Sequence, residues 1–177
     1  MLINTRNPQS WGRYFPRGAS LFSALLGNSH SPGLFGWVNT YGSGANAERD
    51  LYADFLEEAA MVLKKPDLNE AAKLFRISGR EWATLVDLAL PNRVELLMRG
   101  RELLALRCTL FIDKGSAALD EVLQIDRDFE DLRTKATKAF PLDDAGVAAL
   151  LGQMSEQVLR IHNAESQAIE ALQEAMS

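Results

Sequence analysis

Apolar residues recur every three or four positions along most of this chain, which is the spacing of one face of an α-helix. Between residues 46 and 63 the stripe consists of Leu51, Phe55, Leu56, Ala59, Val62 and Leu63. Similar stripes run through residues 68–89 and 143–176. No clear run of alternating β-branched residues favours a strand. The pattern predicts an all-α fold, a mostly antiparallel helical bundle that follows an irregular, aromatic-rich N-terminal arm.

Prolines and glycines divide the periodic pattern into separate helices. Pro66, Pro91 and Pro141 each stand between two periodic segments. Residues 92 to about 138 are compatible with one very long helix or with two helices. A turn at Gly115 is the favoured interpretation, because glycine readily ends a helix.

Capping residues predict where two of the helices begin. Asn46 can cap the helix that follows it, and Asp67 with Glu70 three positions later has the pattern of a capping box. Gly79, inside the second of these helices, predicts a close approach of another helix at that point.

The first 45 residues are expected to form a separate irregular arm and aromatic loop, and residues 46–177 the helical bundle domain. A short helix is expected between Ser20 and Gly27, and residues 28–44 are predicted to be a loop because they hold five glycines or prolines. The many aromatic residues of this arm favour docking onto another chain or protomer.

Composition excludes several classes of function. The 177 residues carry a formal net charge of −5, which argues against nucleic acid or an anionic membrane as a partner. No segment approaches the length of apolar chain that crosses a membrane. The single cysteine, Cys108, lies in an apolar stretch, so a reduced, buried thiol and a cytoplasmic location are expected.

Metal and nucleophilic chemistry find little support in the sequence. The two histidines, His30 and His162, do not have the spacing of a metal site in a helical bundle. A catalytic pair of Cys108 with either histidine is not expected, because an apolar environment suppresses the thiolate. Neither a metal nor a cofactor is therefore expected.

The junction "YGSGAN", residues 41–46, carries the strongest candidate for a ligand site. A glycine-rich turn that leads into a helix presents free backbone N–H groups to an anion, and Arg49 adds a positive charge. The candidate ligand-binding residues are Trp37, Tyr41, Ser43, Gly44, Arg49 and Tyr52. The alternative is that the glycines only turn a corner and that Arg49 pairs with an acidic residue of a helix.

A second alternative is a small enzyme. Asp54 and Glu58 are four positions apart and lie on one helix face, so either could act as a general base while Arg49 anchors an anionic substrate. This mechanism requires Glu58 to point into a closed cavity, whereas such pairs more often lie on a solvated surface.

Residues 33–91 resemble a known family. The segments "GSGANAERDLYADFLEEAA", "KPDLNEAAKLFRISGREW" and "ATLVDLALP" are similar to the C-terminal helical domain, of unknown function, of butirosin biosynthesis protein H-like proteins. The more specific positions are the Gly-Ser-Gly turn, Arg49, Tyr52, Phe55, Leu56, Glu58 and Trp82. The chain departs from the family pattern at residues 45–48, and it lacks the half that carries the family's catalytic cysteine and histidine.

The resemblance implies an acyltransferase-like system of natural-product biosynthesis without its nucleophile. The first hypothesis is therefore a stand-alone, non-catalytic helical accessory or binding protein. It would bind a protein partner or a second copy of itself, and an acyl or amino-acid-derived ligand in the aromatic loop 33–44. The small enzyme and a purely structural helical module remain the alternatives.

Overall fold

A computed structural model describes residues 18–28, 31–39 and 46–177 of the chain, and it confirms the all-α bundle. The helices are α1 (Ala19–Leu26), α2 (Gly33–Val38), α3 (Arg49–Leu63), α4 (Leu68–Ala89), α5 (Glu95–Lys114), α6 (Leu119–Lys138) and α7 (Asp144–Met176). A 3₁₀ turn, Gly115–Ala118, joins α5 to α6. No helix among the described residues is long and apolar enough to cross a membrane.

Helices α4 and α7 are the two longest, and they pack against each other in antiparallel directions. The buried Gln157 amide of α7 donates to the backbone carbonyl and the carboxylate of Glu81 on α4, at 2.9 and 2.7 Å. Further along α7, Glu165 accepts a hydrogen bond from Ser78, which precedes Glu81 on α4. Residue numbers rise along α7 where they fall along the facing part of α4, so the two helices are antiparallel, as the sequence predicts for the bundle.

Gly79 allows the start of α3 to lie directly on α4. A Cβ atom on Gly79 would lie 3.2 Å from the Cβ of Arg49 and 3.3 Å from a carboxylate oxygen of Asp50. Both distances are shorter than the ordinary van der Waals contact of a carbon atom with another carbon or an oxygen. The close approach that Gly79 predicts is confirmed.

Two apolar clusters form the interior of the described residues, and α4 and α7 contribute to both. The larger cluster unites α1 and α2 with the second half of α4, the start of α5, the end of α6 and the first half of α7. The smaller cluster joins α3 to the first half of α4 and the second half of α7. The described part of residues 1–45 therefore packs into the bundle.

Most predicted helix boundaries are confirmed. Pro66, Pro91 and Pro141 all lie between helices, and the chain turns at Gly115, which has a φ of 53°. Two helices therefore occupy the 92–138 segment. The last helix begins where expected, because the Asp143 carboxylate caps it by accepting the Gly146 N–H at 2.8 Å.

Three predictions about local structure are wrong. The segment predicted as a loop contains helix α2. Asn46 does not cap α3, which begins three residues later after two residues with positive φ, and the Asn46 amide donates instead to Asp50 at 2.7 Å. The side chain of Asp67 accepts no capping hydrogen bond at the start of α4. At the start of α4 the N–H groups of Asn69 and Glu70 donate instead to the Pro66 and Asp67 carbonyls, at 3.0 and 3.1 Å.

The single apolar stripe predicted for α3 is also wrong. The buried residues of this helix are Ala53, Leu56 and Ala60. Of the predicted stripe, only Leu56 is buried and Ala59 half-buried, whereas Leu51, Phe55, Val62 and Leu63 are exposed. Small residues therefore face the bundle, and most large apolar residues face outward.

A tight turn connects α1 to α2 and depends on two glycines in the left-handed region. Gly27 has a φ of 98° and Gly33 a φ of 65°. The backbones approach so closely that a Cβ on Gly33 would lie 2.2 Å from the Gly27 nitrogen. Side chains cannot enter this space, so the turn requires glycine at both positions.

We expect Gly33→Ala to lower the free energy of unfolding by about 2–4 kcal/mol, because it adds left-handed strain to a backbone clash. Gly152→Ala is the matched control, since Gly152 lies inside α7 with open space around it. The control should raise stability by about 0.5–1 kcal/mol, because alanine is the better helix former. Urea denaturation followed by circular dichroism measures both changes. Equal stability of the Gly33→Ala variant and the wild type would contradict this account of the turn.

Candidate functional site

Arg49 is the first residue of α3, and its side chain turns inward to a partner on α7. The Nε atom donates to Oε1 of Glu165 at 2.7 Å, and an Nη atom donates to the Ala47 carbonyl at 3.1 Å. About 30% of the Arg49 side chain and 25% of the Glu165 side chain remain exposed. The guanidinium therefore has an internal counter-ion, as the corner alternative for this junction anticipates.

The same Glu165 oxygen accepts two further hydrogen bonds from α4. The Ser78 hydroxyl donates at 3.1 Å and the Trp82 indole N–H at 2.9 Å. Partial burial alone would raise the pKa of Glu165, but the hydrogen bond from Arg49 and then that from Trp82 outweigh it. The pKa of Glu165 consequently lies below its usual value. This carboxylate thus joins α3, α4 and α7 at one point.

Backbone N–H groups at the start of α3 also have partners within the chain. The Ala47 N–H donates to the Val38 carbonyl at 3.0 Å, and the Arg49 N–H donates to the Asn46 carbonyl at 3.1 Å. The first bond links the end of α2 to the turn before α3, and the second lies within that turn. Both occupy backbone N–H groups that the sequence predicts as donors to an anion.

The remaining residues of the predicted site do not form one cluster. Tyr41, Ser43 and Gly44 lie outside the described residues. The Tyr52 ring packs edge-on against Phe75, with 4.7 Å between the ring centroids. Trp37 lines a cavity whose lining includes neither Arg49 nor Tyr52.

The two carboxylates of the enzyme alternative are in water. Glu58 is exposed, and the side chain of Asp54 is 64% exposed. Asp54 and Glu57 both form ion pairs with Arg76, whose Nη2 atom lies 2.7 and 2.9 Å from their carboxylate oxygens. The closed cavity that a general base at Glu58 would need is not formed around it.

A cavity of about 560 Å³ lies between the α1–α2 segment and the α5–α6 hairpin. Its apolar lining comes from Leu26, Phe35, Trp37, Leu104, Phe111 and Val122. Trp37 is 69% exposed and Phe111 62% exposed, so both rings reach solvent. The cavity therefore combines an apolar interior with two aromatic side chains that a ligand could cover.

Polar groups also line this cavity. Asn28, Ser31 and Asn39 contribute from the α1–α2 side, and Arg107 and Cys108 from α5. Arg107 pairs with Asp126 of α6 at 3.2 Å. Cys108 is a free thiol and only half-buried, so the expectation of a buried thiol is wrong. The arrangement can hold an apolar group while it offers amide and hydroxyl contacts to a polar end.

Comparison with known proteins gives no match: no family model, curated protein or solved structure aligns with this chain.

No group of three or more histidine, cysteine, aspartate or glutamate side chains in the described part of the chain is arranged to hold a metal ion.

Sequence reasoning missed several residues that the structure brings together. Glu165 and Ser78 carried no local signal, because they meet Arg49 only through the packing of distant helices. Phe111 and Val122 belong to helical stripes and therefore resemble core positions. One signal was available for the cavity, since the glycine-rich aromatic segment that contains Trp37 is typical of binding loops.

We expect Glu165→Gln to lower the free energy of unfolding at pH 7 by about 1–3 kcal/mol, because three donors lose a charged acceptor. A carboxylate with a lowered folded-state pKa stabilises the protein above its unfolded pKa, and this stabilisation disappears as the pH falls. The wild type should therefore lose stability below about pH 4.5, and the variant should lose less of it.

Glu170→Gln on the exposed part of α7 is the control for this pH dependence. It should leave both the stability at pH 7 and its decline in acid unchanged. Denaturation curves at several pH values between 3 and 7 supply the comparison. If Glu165→Gln and Glu170→Gln gave the same pH dependence, the assigned role of Glu165 would be refuted.

Proposed function

We propose that this chain is a non-catalytic helical binding protein that holds a small apolar ligand in the cavity between α2 and the α5–α6 hairpin. The observation that carries the proposal is the cavity itself, about 560 Å³ in volume and lined mainly by apolar side chains. Small-molecule sites typically have this size and this composition.

The chemistry of the lining indicates the class of ligand. Phe35, Leu104 and Val122 offer an apolar surface to a hydrocarbon or aromatic body. Asn39 offers an amide group, and Arg107 brings a guanidinium whose charge is already balanced by Asp126. An acyl or amino-acid-derived group, with an apolar body and one polar end, suits this combination.

The resemblance of residues 33–91 to the helical domain of butirosin biosynthesis protein H-like proteins supports a biological role for this binding protein. In that role the chain serves as an accessory of an acyltransferase-like system in natural-product biosynthesis, and a separate protein supplies the catalytic cysteine and histidine. It would act in the cytoplasm and present its ligand to that protein partner.

The junction at Arg49 contributes to this function indirectly. Its guanidinium pairs with Glu165, and the Ala47 N–H just before it donates to the Val38 carbonyl at the end of α2. The junction therefore fixes the end of α2. Because α2 carries Phe35 and Trp37, this anchoring supports one wall of the cavity. The enzyme alternative has less support, since Asp54 and Glu58 lie in water.

The dye 1-anilinonaphthalene-8-sulfonate provides a direct test, because its fluorescence rises in apolar sites. We expect the folded wild type to bind the dye and octanoate to displace it. Val122→Trp should fill the cavity and weaken octanoate binding at least about tenfold, which corresponds to about 1.4 kcal/mol. Fluorescence titration of the dye against octanoate measures the effect.

Leu123→Trp is the matched control, because it introduces the same side chain one position further along α6, where Leu123 is 44% exposed. This variant should bind octanoate within about twofold of the wild type. Arg49→Ala, provided that circular dichroism shows it folded, should lose less affinity than Val122→Trp, because Arg49 supports α2 without lining the cavity. Equal losses in Val122→Trp and Leu123→Trp, or octanoate binding that Val122→Trp leaves intact, would reject the cavity as the ligand site. A loss confined to Arg49→Ala would favour the junction instead.

A further inference from the structure

Helix α3 carries a second apolar face beside its contact with the bundle: Tyr52 and Ala59 border the smaller apolar cluster, and Phe55 and Val62 face solvent. Tyr52, Phe55, Ala59 and Val62 follow one another at intervals of three, four and three residues. This is the spacing of the contact seam between two paired helices. We call these four positions the α3 seam.

The α3 seam is accessible and free of charged side chains. Phe55 is 59% exposed and Val62 73% exposed. The rings of Tyr52 and Phe55 stack with centroids 6.0 Å apart, and the Tyr52 ring also packs edge-on against Phe75 of α4. Glu58 lies along one edge of the seam, where it can remain in water. The centre of the face therefore resembles the apolar core of a protein interface.

We propose that the α3 seam binds the α3 seam of a second copy of this chain, with the two helices antiparallel about a two-fold axis. An axis at the level of Glu57 places Tyr52 of one copy opposite Val62 of the other, and Phe55 opposite Ala59. Each large side chain then meets a smaller one, as interdigitating packing requires. The same contacts are made twice, which is the property of a symmetric dimer.

The area available agrees with this occupant. Leu51 and Leu63 flank the seam and are more than half exposed. With the seam residues they present roughly 600 Å² of exposed surface per copy, so two copies could bury up to about 1,200 Å², near the lower limit of specific interfaces. A second copy of α3 can thus cover the face without any further element.

The first experiment measures molecular mass by sedimentation equilibrium. We expect the wild type to approach the mass of a dimer at concentrations up to about 100 µM, because an interface of this size can reach micromolar affinity. Phe55→Glu should halve the mass without changing the helical content, since Phe55 lies outside both apolar clusters.

Met61→Glu is the control, because Met61 is 75% exposed on the same helix but lies about 140° around it from the α3 seam. It should remain dimeric. A monomeric wild type at these concentrations would overturn the proposal, even if another protein were found to bind α3. A dimer that survives Phe55→Glu would overturn it as well.

The second experiment tests the register by oxidation, in a Cys108→Ser background that removes the natural thiol. The double variant Phe55→Cys/Ala59→Cys should form a covalent dimer efficiently, because the antiparallel register brings these positions together. Phe55→Cys alone should form little, and Met61→Cys none. Efficient cross-linking of the Phe55→Cys single variant would instead indicate parallel helices and would refute the proposed arrangement.

Discussion

The arrangement of α3 depends on the hydrogen bonds that the Glu165 carboxylate accepts. One of its oxygens accepts hydrogen bonds from Arg49 on α3 and from Ser78 and Trp82 on α4, although Glu165 itself belongs to α7. A buried or half-buried ion pair does not by itself add much stability, because desolvation offsets the attraction. Removing one member is costly, however, because the donors that remain lose their acceptor. The contact therefore fixes where α3 lies more than it raises the overall stability.

Local sequence signals located the helices because proline and glycine act on the backbone directly. Pro66, Pro91 and Gly115 disturb helical geometry whatever surrounds them, so the breaks they predict are found. Capping signals were less reliable. The chain enters α3 through two left-handed residues, and Asn46 packs against Gly79 instead of capping the helix. The contact with α4 joins residues that are far apart in the chain, so a local pattern does not contain it.

The candidate site could be predicted only in part, for the same physical reason. The sequence predicts that Arg49 binds an anionic group, but its partner, Glu165, lies 116 residues away in the chain. The glycine-rich surroundings of Trp37 predict a binding role, and in the structure this residue lies at the edge of a cavity. The opposite wall, with Phe111 and Val122, comes from helices whose periodicity alone does not distinguish core residues from cavity residues. Periodicity shows that a helix has an apolar side, whereas packing decides what that side contacts.

The two proposed binding surfaces lie at opposite parts of the bundle. The cavity adjoins the larger apolar cluster through Leu26 and Phe35, whereas the α3 seam adjoins the smaller cluster through Phe75. Helices α4 and α7 contribute to both clusters and connect them. A substitution at either surface should therefore leave the other in place, as expected for sites that share no contacts.

The distribution of side chains on α3 is difficult to explain by packing within one chain. A helix that only closes a bundle gains most by burying its largest apolar side chains, since stabilisation scales with the area removed from water. Helix α3 does the reverse: two of its three buried residues are Ala53 and Ala60, while Phe55 and Val62 face solvent. The small inward residues let α3 lie close to α4, where Arg49 reaches Glu165. The large outward residues gain nothing from that contact, and this is the distribution that the proposed pairing of two α3 helices accounts for.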